Sequence, residues 1–416
     1  MLRAFLFIAV LFIIDLYAYQ AVRFSIRSLN PSTAKIIFWS YWSVSAICFA
    51  LILLANFTDW HIWPKALRTY SFALVFILFV SKLIVAVFLL TDDVIRVIRF
   101  AGIRTVQAFN PSVTPANGIT RAEFLVKAGL FAGAIPFFSL IWGMMYGAYQ
   151  YTVRKAKISV NGLPDEFRNF RIVHISDLHT GSFHTKEPLQ KAVKMINELK
   201  PDLICFTGDL VNDRHVELQP HVEALKGLNA KYGIYSVLGN HDYGDYYRWP
   251  SQEEKHDNLQ KLIAMQKEMG WKLLIDEHDY IEVNGKKLAV AGVQNWSGRA
   301  GFQRYGNLDK AIKGMSGSFF NMLLSHDPSH WRNEVLKHEH IHLTLSGHTH
   351  GMQFGIEVPG WKWSPARYFY KEWAGLYAEG KQKIYVNRGL GFIGYPGRVG
   401  ILPEITVIEL TPDLSA

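Results

Sequence analysis

The heptapeptide Leu345-Ser346-Gly347-His348-Thr349-His350-Gly351 sets two histidines two residues apart between glycines, directly after an apolar run. Imidazole nitrogens so placed suit a divalent metal ion. His-x-His also occurs in ordinary polar loops, so the pattern gains meaning from four upstream segments with the same layout. Ile172–Ser176 leads into Asp177-Leu178-His179, and Leu203–Thr207 leads into Gly208-Asp209. Ile234–Leu238 leads into Gly239-Asn240-His241-Asp242, and Met322–Ser325 leads into His326-Asp327. Each is an apolar run that ends in ligand-type side chains.

Five buried-type strands ending this way would gather Asp, His and Asn at one edge of a sheet, where α/β folds place their sites. Between the first two runs, Leu189, Ala192, Val193, Ile196 and Leu199 recur at helical spacing, with Pro188 in the first turn. A second helix is expected near residues 216–227, which gives a βαβαβ order. Further strands are expected at 153–160, 288–293, 383–386 and 405–410.

The ordered set D-x-H, GD, GNHD, H, GHTH over roughly residues 155–412 resembles the calcineurin-like metallophosphoesterases. The resemblance implies an α/β (α+β) fold, a four-layer sandwich of two mixed sheets flanked by helices. It implies two divalent metal ions (Mn, Fe or Zn). Carried over by motif position, Asp177, His179, Asp209 and His350 resemble the ligands of one ion. Asp209, Asn240, His326 and His348 resemble those of the other, with Asp209 bridging. His241 resembles the general acid for the leaving group, and Asp242 and Asn212 are the residues expected to orient it. Many relatives carry Asp where Asn212 stands, so the orienting partner stays open. Arg388, in Asn387-Arg388-Gly389-Leu390-Gly391, is expected either to bind a phosphate or diphosphate oxygen through its forked guanidinium or to form a plain salt bridge. His174, in mid-strand, reads as a core histidine.

Composition divides the chain near residue 150 into a domain over 1–150 and another over 151–416. Residues 1–150 hold one of the sixteen histidines, His61, and twelve Lys/Arg against five Asp/Glu. The remainder is nearly balanced, with 32 basic and 30 acidic side chains. A nucleic-acid partner would want basic residues clustered there, so none is expected. Four apolar stretches, at 4–22, 36–55, 70–90 and 124–146, approach the ~20 residues needed to cross a bilayer. They predict an all-α transmembrane bundle and an integral, multi-pass (plasma or inner) membrane protein in contact with membrane lipids. Asp15 and Lys82 fall inside these stretches, where an interhelical pair, or snorkelling of Lys82, is expected ahead of a functional role. Residues 91–122 link the third and fourth stretches, with turn signals at Asn110-Pro111, Thr114-Pro115 and Asn117-Gly118, and place Arg96, Arg99 and Arg104 either against lipid headgroups or in a solvated loop. Basic residues flank both sides almost equally, so the positive-inside rule does not orient the chain. The two cysteines, Cys48 and Cys205, do not suit a disulfide. With the short positive N-terminus, they place the catalytic domain on the cytoplasmic side.

The expected activity is hydrolysis of a phosphoester, with a lipid-linked phosphodiester or diphosphate favoured by the anchor. Some membrane-bound members of the family cleave the diphosphate of UDP-diacylglucosamine, and the layout here is similar. A general phosphodiesterase or phosphatase is the enzymatic alternative, and a non-catalytic membrane-bound scaffold is the alternative of another class. Tyr243, Tyr246, Tyr247 and Trp249 form one aromatic stretch near the motifs. Trp361, Trp363, Tyr368, Phe369, Tyr370 and Trp373 form the other. They are expected to form a wall that contacts a lipid or nucleoside, to dip into the bilayer interface, or simply to cover a loop-rich edge.

Overall fold

A computed structural model describes residues 2–110 and 120–413. The chain forms two compact units, Met1–Trp142 with Gly394–Pro396, and Gly143–Ile393 with Gly397–Ala416.

The first unit contains four long apolar helices, α1 (Leu2–Ser25), α2 (Pro31–Phe57), α3 (Lys65–Phe109) and α4 (Thr120–Met145). Each is long and apolar enough to cross a membrane. Asn30 caps α2 by accepting the Thr33 N–H, with Pro31 pre-set in the first turn. Gly133 lets α4 approach α3, since a Cβ there would meet Val85 Cγ2 at 2.6 Å and the Ser81 carbonyl at 2.9 Å. The intramembrane charges pair as expected: Lys82 Nζ lies 2.6 Å from Asp15 Oδ1 and 2.8 Å from Ser45 Oγ. Residues 91–109 are not a loop. They continue α3, which runs unbroken for 45 residues because no proline interrupts it and Asp92 pairs with Arg96 one turn on. The expected turn signals at Pro111, Thr114-Pro115 and Asn117-Gly118 lie outside the described residues.

Among its described residues the second unit holds fourteen strands. In chain order they are β1 (Thr152–Val160), β2 (Arg171–Ile175), β3 (Leu203–Phe206), β4 (Ile234–Ser236), β5 (Lys272–Leu273), β6 (Glu277–Val283) and β7 (Lys286–Gly292). There follow β8 (Phe320–Leu324), β9 (Leu343–Ser346), β10 (Ile356–Val358), β11 (Trp361–Trp363), β12 (Gly375–Glu379), β13 (Gln382–Val386) and β14 (Glu404–Pro412). One six-stranded sheet has the order β1-β14-β2-β3-β4-β5 and the other β12-β13-β9-β8-β7-β6, while β10 and β11 form a separate hairpin. Both large sheets are mixed. β2, β3, β4 and β5 run parallel, as do β1 and β14, and β14 meets β2 antiparallel; β7, β8, β9 and β13 run parallel, with β6 and β12 antiparallel at the two edges.

Period-2 alternation sends successive side chains into different cores. Val173, Ile175, Ile204 and Phe206 pack under α5 (Glu187–Glu198) and α6 (Val222–Lys226). Ile172, Leu203 and Cys205 face Leu288, Val290, Met322 and Leu345 in the core between the sheets. Ala291, Leu323, Ile384 and Val386 pack with Trp331 and Val335 on the far side. The expected four layers are therefore present. Two differences from expectation concern helices. The element expected at 216–227 shrinks to α6 after two 3-10 turns, because Pro220 cannot continue a helix from upstream. A further helix, α7 (Gln252–Glu268), carries so thin an apolar stripe that its periodicity is weak; Ser251 caps it by accepting the Glu254 N–H. Short helices α8 (Leu308–Ile312) and α9 (Ser329–Asn333) complete the unit.

Candidate metal centre

The parallel strands end at one edge, and their exits carry the predicted ligands. Asp177 and His179 follow β2, Asp209 follows β3, Asn240 follows β4, His326 follows β8, and His348 and His350 follow β9. All seven come together. Ligand atoms of Asp177, His179 and His350 lie within 4.8 Å of one another, as do those of Asp209, His326 and His348. A third such group joins His179 and Asp209 to His241. Asn240 Oδ1 is 3.1 Å from His326 Nε2, which in turn lies 3.2 Å from Asp209 Oδ2.

Backbone geometry aims these side chains. Asp177, His179, Asp209, His348 and His350 all have left-handed φ, between 47° and 70°. For residues other than glycine that conformation costs about 1–3 kcal/mol each and persists only where the surroundings enforce it. The enforcing bonds are visible. The Asp177 N–H donates to Gly208 O, and the His179 N–H to Asp209 O. The Asp242 carboxylate accepts the N–H groups of Asp209, Leu210, Val211 and Gly239. Gly239 and Gly347 permit the close approach, since a Cβ on either would overlap Asp209 or Asp177 respectively.

The donor chemistry fits divalent cations. His179 Nε2 and His350 Nε2 are 3.0 Å apart, and His326 Nε2 and His348 Nδ1 are 3.2 Å apart. Two ring nitrogens that close share at most one proton, whereas a cation between them satisfies both lone pairs. His326 Nδ1 lies 2.7 Å from Thr207 O, which fixes the proton there and leaves Nε2 for a ligand. His348 Nε2 is 2.8 Å from the Tyr370 hydroxyl, a contact that occupies Nε2 and leaves Nδ1 facing His326. Burial pulls the His179, His348 and His350 imidazoles below their ordinary pKa, so these rings are held neutral, the form that binds metal.

Three expected residues behave differently from their expected roles. Asp242 does not touch the His241 ring; it binds the loop that carries Asp209. Burial and the charge of Asp209 push its carboxyl up to about 7 against those donors. Asn212 meets His241 through its main chain, with His241 Nδ1 2.7 Å from Asn212 O, while its side chain bonds Ser182. Arg388 does not line the cleft. It is 2% exposed, its guanidinium pairs with Glu404, and it lies 2.8 Å from Glu357. The salt-bridge alternative is the one observed. His174 is a core histidine, 2.9 Å from Thr207 Oγ1.

A cavity of about 340 Å³ opens over the ligands, lined also by Tyr246, Phe302, Met352 and Tyr370. Tyr246 accepts from Asn240 Nδ2 at 2.9 Å and packs its ring 4.6 Å from that of His241. Tyr246 and Tyr370 belong to the two aromatic stretches. Phe302, Arg398 (Nη2 3.0 Å from His350 Nδ1) and Glu217 (accepting the Asn212 N–H) carried no signal in sequence, being lone residues in loops.

The comparisons with known proteins follow the same division. A family model described as a calcineurin-like phosphoesterase matches residues 170–352. A model described as a probable calcineurin-like phosphoesterase transmembrane domain matches residues 2–148. The Bacillus subtilis metallophosphoesterase YkuE is 31% identical over 305 residues, covering 70% of this chain and 98% of that protein. The chain belongs to the calcineurin-like metallophosphoesterases. As a metallophosphoesterase with a transmembrane domain it also resembles a zebrafish (Danio rerio) transmembrane protein with metallophosphoesterase domain, 28% identical over 65% of this chain. A metallophosphoesterase of Caenorhabditis elegans is 29% identical over 62% of this chain. The matched regions span 60% of the zebrafish protein and 52% of the nematode one. It is thus a membrane metallophosphoesterase, and its buried His/Asp clusters are the metal-binding candidates.

Proposed function

We propose that this metallophosphoesterase is a membrane-anchored, two-metal hydrolase of a lipid-linked phosphodiester or diphosphate, with UDP-diacylglucosamine as the substrate to try first. The observation that carries the two-metal reading is the meeting of two ligand triads at Asp209, His179 lying 3.5 Å and His326 3.2 Å from the same carboxylate oxygen. Asp177, His179, Asp209 and His350 would hold one ion, and Asp209, Asn240, His326 and His348 the other. Mn, Fe or Zn suits such mixed ligands better than Ca or Mg. When bound, such ions polarise phosphoryl oxygens and lower the pKa of water.

The chain's own groups do the rest. With Nδ1 held by Asn212 O, the His241 ring presents Nε2 for proton exchange. As the acid, the ring keeps its Nδ1–H hydrogen-bonded to that carbonyl and passes a proton from Nε2 to the leaving oxygen. Tyr246 backs the ring. Tyr246, Phe302 and Tyr370 dry the cleft around the reacting phosphorus, which strengthens each polar contact inside it. Cys48 and Cys205 are both buried free thiols, in keeping with a cytoplasmic catalytic unit.

The test compares UDP-diacylglucosamine with UDP-N-acetylglucosamine, using full-length protein in detergent with manganese. A kcat/KM at least about 100-fold higher for the diacylated substrate is expected, since each buried CH2 contributes about 0.8 kcal/mol. Equal turnover of both would return the broader phosphodiesterase reading.

A further inference from the structure

The hairpin β10–β11 is built inside out. Its register pairs Ile356 with Trp363, Glu357 with Lys362, and Val358 with Trp361 across a tight Pro359-Gly360 turn, where φ is +81° at Gly360. Strand alternation therefore puts Ile356, Val358, Trp361 and Trp363 on one face and both charges on the other. In water the charged face of such a hairpin belongs outside. Here it is turned inward. Glu357 lies 2.7 Å from Arg154 and 2.8 Å from buried Arg388, while Lys362 donates to Ala374 O and lies 5.3 Å over the Trp373 ring. The apolar face is left open, with Ile356, Val358 and Trp361 each at least 50% exposed. The next turn adds Tyr368 at 72% and Phe369 at 53%.

We propose that this face, with Tyr368 and Phe369, docks into the headgroup–acyl boundary of the lipid bilayer. Three observations favour lipid over a protein partner. The chain carries its own membrane anchor, and six residues separate the end of α4 from β1, a reach of ~20 Å. Tryptophan and tyrosine are the side chains that partition to that boundary. Arg367 and Lys371, both exposed beside Tyr368 and Phe369, add positive charge suited to anionic headgroups. The docked face also adjoins the cleft along the chain, because Tyr370, which contacts His348, directly follows Phe369. An acyl chain leaving the bilayer there would lead its phosphate towards the ligands. This last step rests on the lipid-substrate reading above; the docking does not.

Spin labels on full-length protein in phosphatidylcholine–phosphatidylglycerol nanodiscs decide it. Trp361→Cys and Tyr368→Cys carry the label, Lys286→Cys on the exposed β6–β7 turn is the control, and the buried native cysteines stay unlabelled. Labels at 361 and 368 are expected to be relaxed more by oxygen than by a water-soluble nickel chelate, with the reverse at 286. Water-like accessibility at all three positions would overturn the docking, and so would dipolar broadening between two copies in place of lipid contact. The double variant Trp361→Ser/Tyr368→Ser is expected to raise KM for a vesicle-embedded diacyl substrate about tenfold while leaving bis-p-nitrophenyl phosphate turnover unchanged. Lipid contact without that KM change would overturn delivery to the site and keep docking. Loss of all turnover in the unmodified protein would count against the proposed function alone, since the labels report independently of chemistry.

Discussion

His241 Nδ1 lies 2.7 Å from the main-chain carbonyl oxygen of Asn212. A contact made by the backbone does not depend on which side chain stands at 212. Asn in place of Asp at this position is therefore expected to leave the contact intact. Asn212→Ala is expected to keep kcat within about threefold, its lost bond to Ser182 being a neutral, partly buried one. His241→Ala should lower kcat by about 100-fold or more at unchanged metal content. Steady-state kinetics with metal analysis on both variants checks this. A collapse in Asn212→Ala would return the orienting role to the side chain.

Arg388 is a structural cation. Removing it takes the closest cation from fully buried Glu404, which keeps the Tyr385 and Thr406 hydroxyls and Arg154 at 3.8 Å, and breaking a buried pair costs about 3–5 kcal/mol. Arg388→Gln is expected to melt well below the unmodified protein yet show an unchanged KM at temperatures where it is folded. A raised KM at unchanged melting temperature would put the guanidinium on substrate after all.

The glycines beside the ligands should be intolerant. A Cβ at Gly239 or Gly347 would overlap the Asp209 or Asp177 side chain. Either Gly→Ala variant should lose bound metal and about 100-fold in activity, whereas Gly162→Ala, with open space around it, should lose neither. Retained metal in Gly239→Ala would show that the ligand loops yield more than their packing implies.

Burial lowers the His174 pKa to about 4, far under its ordinary value of 6.5. The folded state thus refuses a proton that the unfolded chain accepts below pH 6.5. The stability tied to this ring is present above 6.5 and is lost as pH falls towards 4, by about 3 kcal/mol in all. In chelator-treated protein, the melting temperature of His174→Met should fall less steeply between pH 6.5 and 4.5 than that of the unmodified protein. Parallel slopes would contradict the buried-neutral assignment.

Much of this architecture was legible in the chain because two signals agreed. Runs such as Ile172–Ile175 and Leu203–Phe206 are too apolar to lie anywhere but in a doubly covered sheet, and each stops at a ligand-type residue. That agreement located all seven metal-ligand candidates. Contacts made by backbone atoms, such as Asn212 O, leave no trace in residue identity. Asp242 reads in sequence as the partner of the adjacent His241, whereas its carboxylate accepts three N–H groups of the Asp209 loop and that of Gly239. The extension of α3 past residue 90 escaped notice because charges at helical spacing resemble a solvated loop once hydropathy falls. The inverted polarity of β10–β11 shows only when strand register tells which face is outward.

The central claim is metal-dependent phosphoester hydrolysis at the Asp209-centred site. The most direct measurement is turnover of bis-p-nitrophenyl phosphate by full-length protein in detergent, after chelation and then with manganese restored, beside Asp209→Asn. Turnover that vanishes with chelation, returns with manganese and stays at least about 100-fold lower in Asp209→Asn is expected. Turnover indifferent to chelation, or an Asp209→Asn variant as active as the unmodified protein, would contradict it.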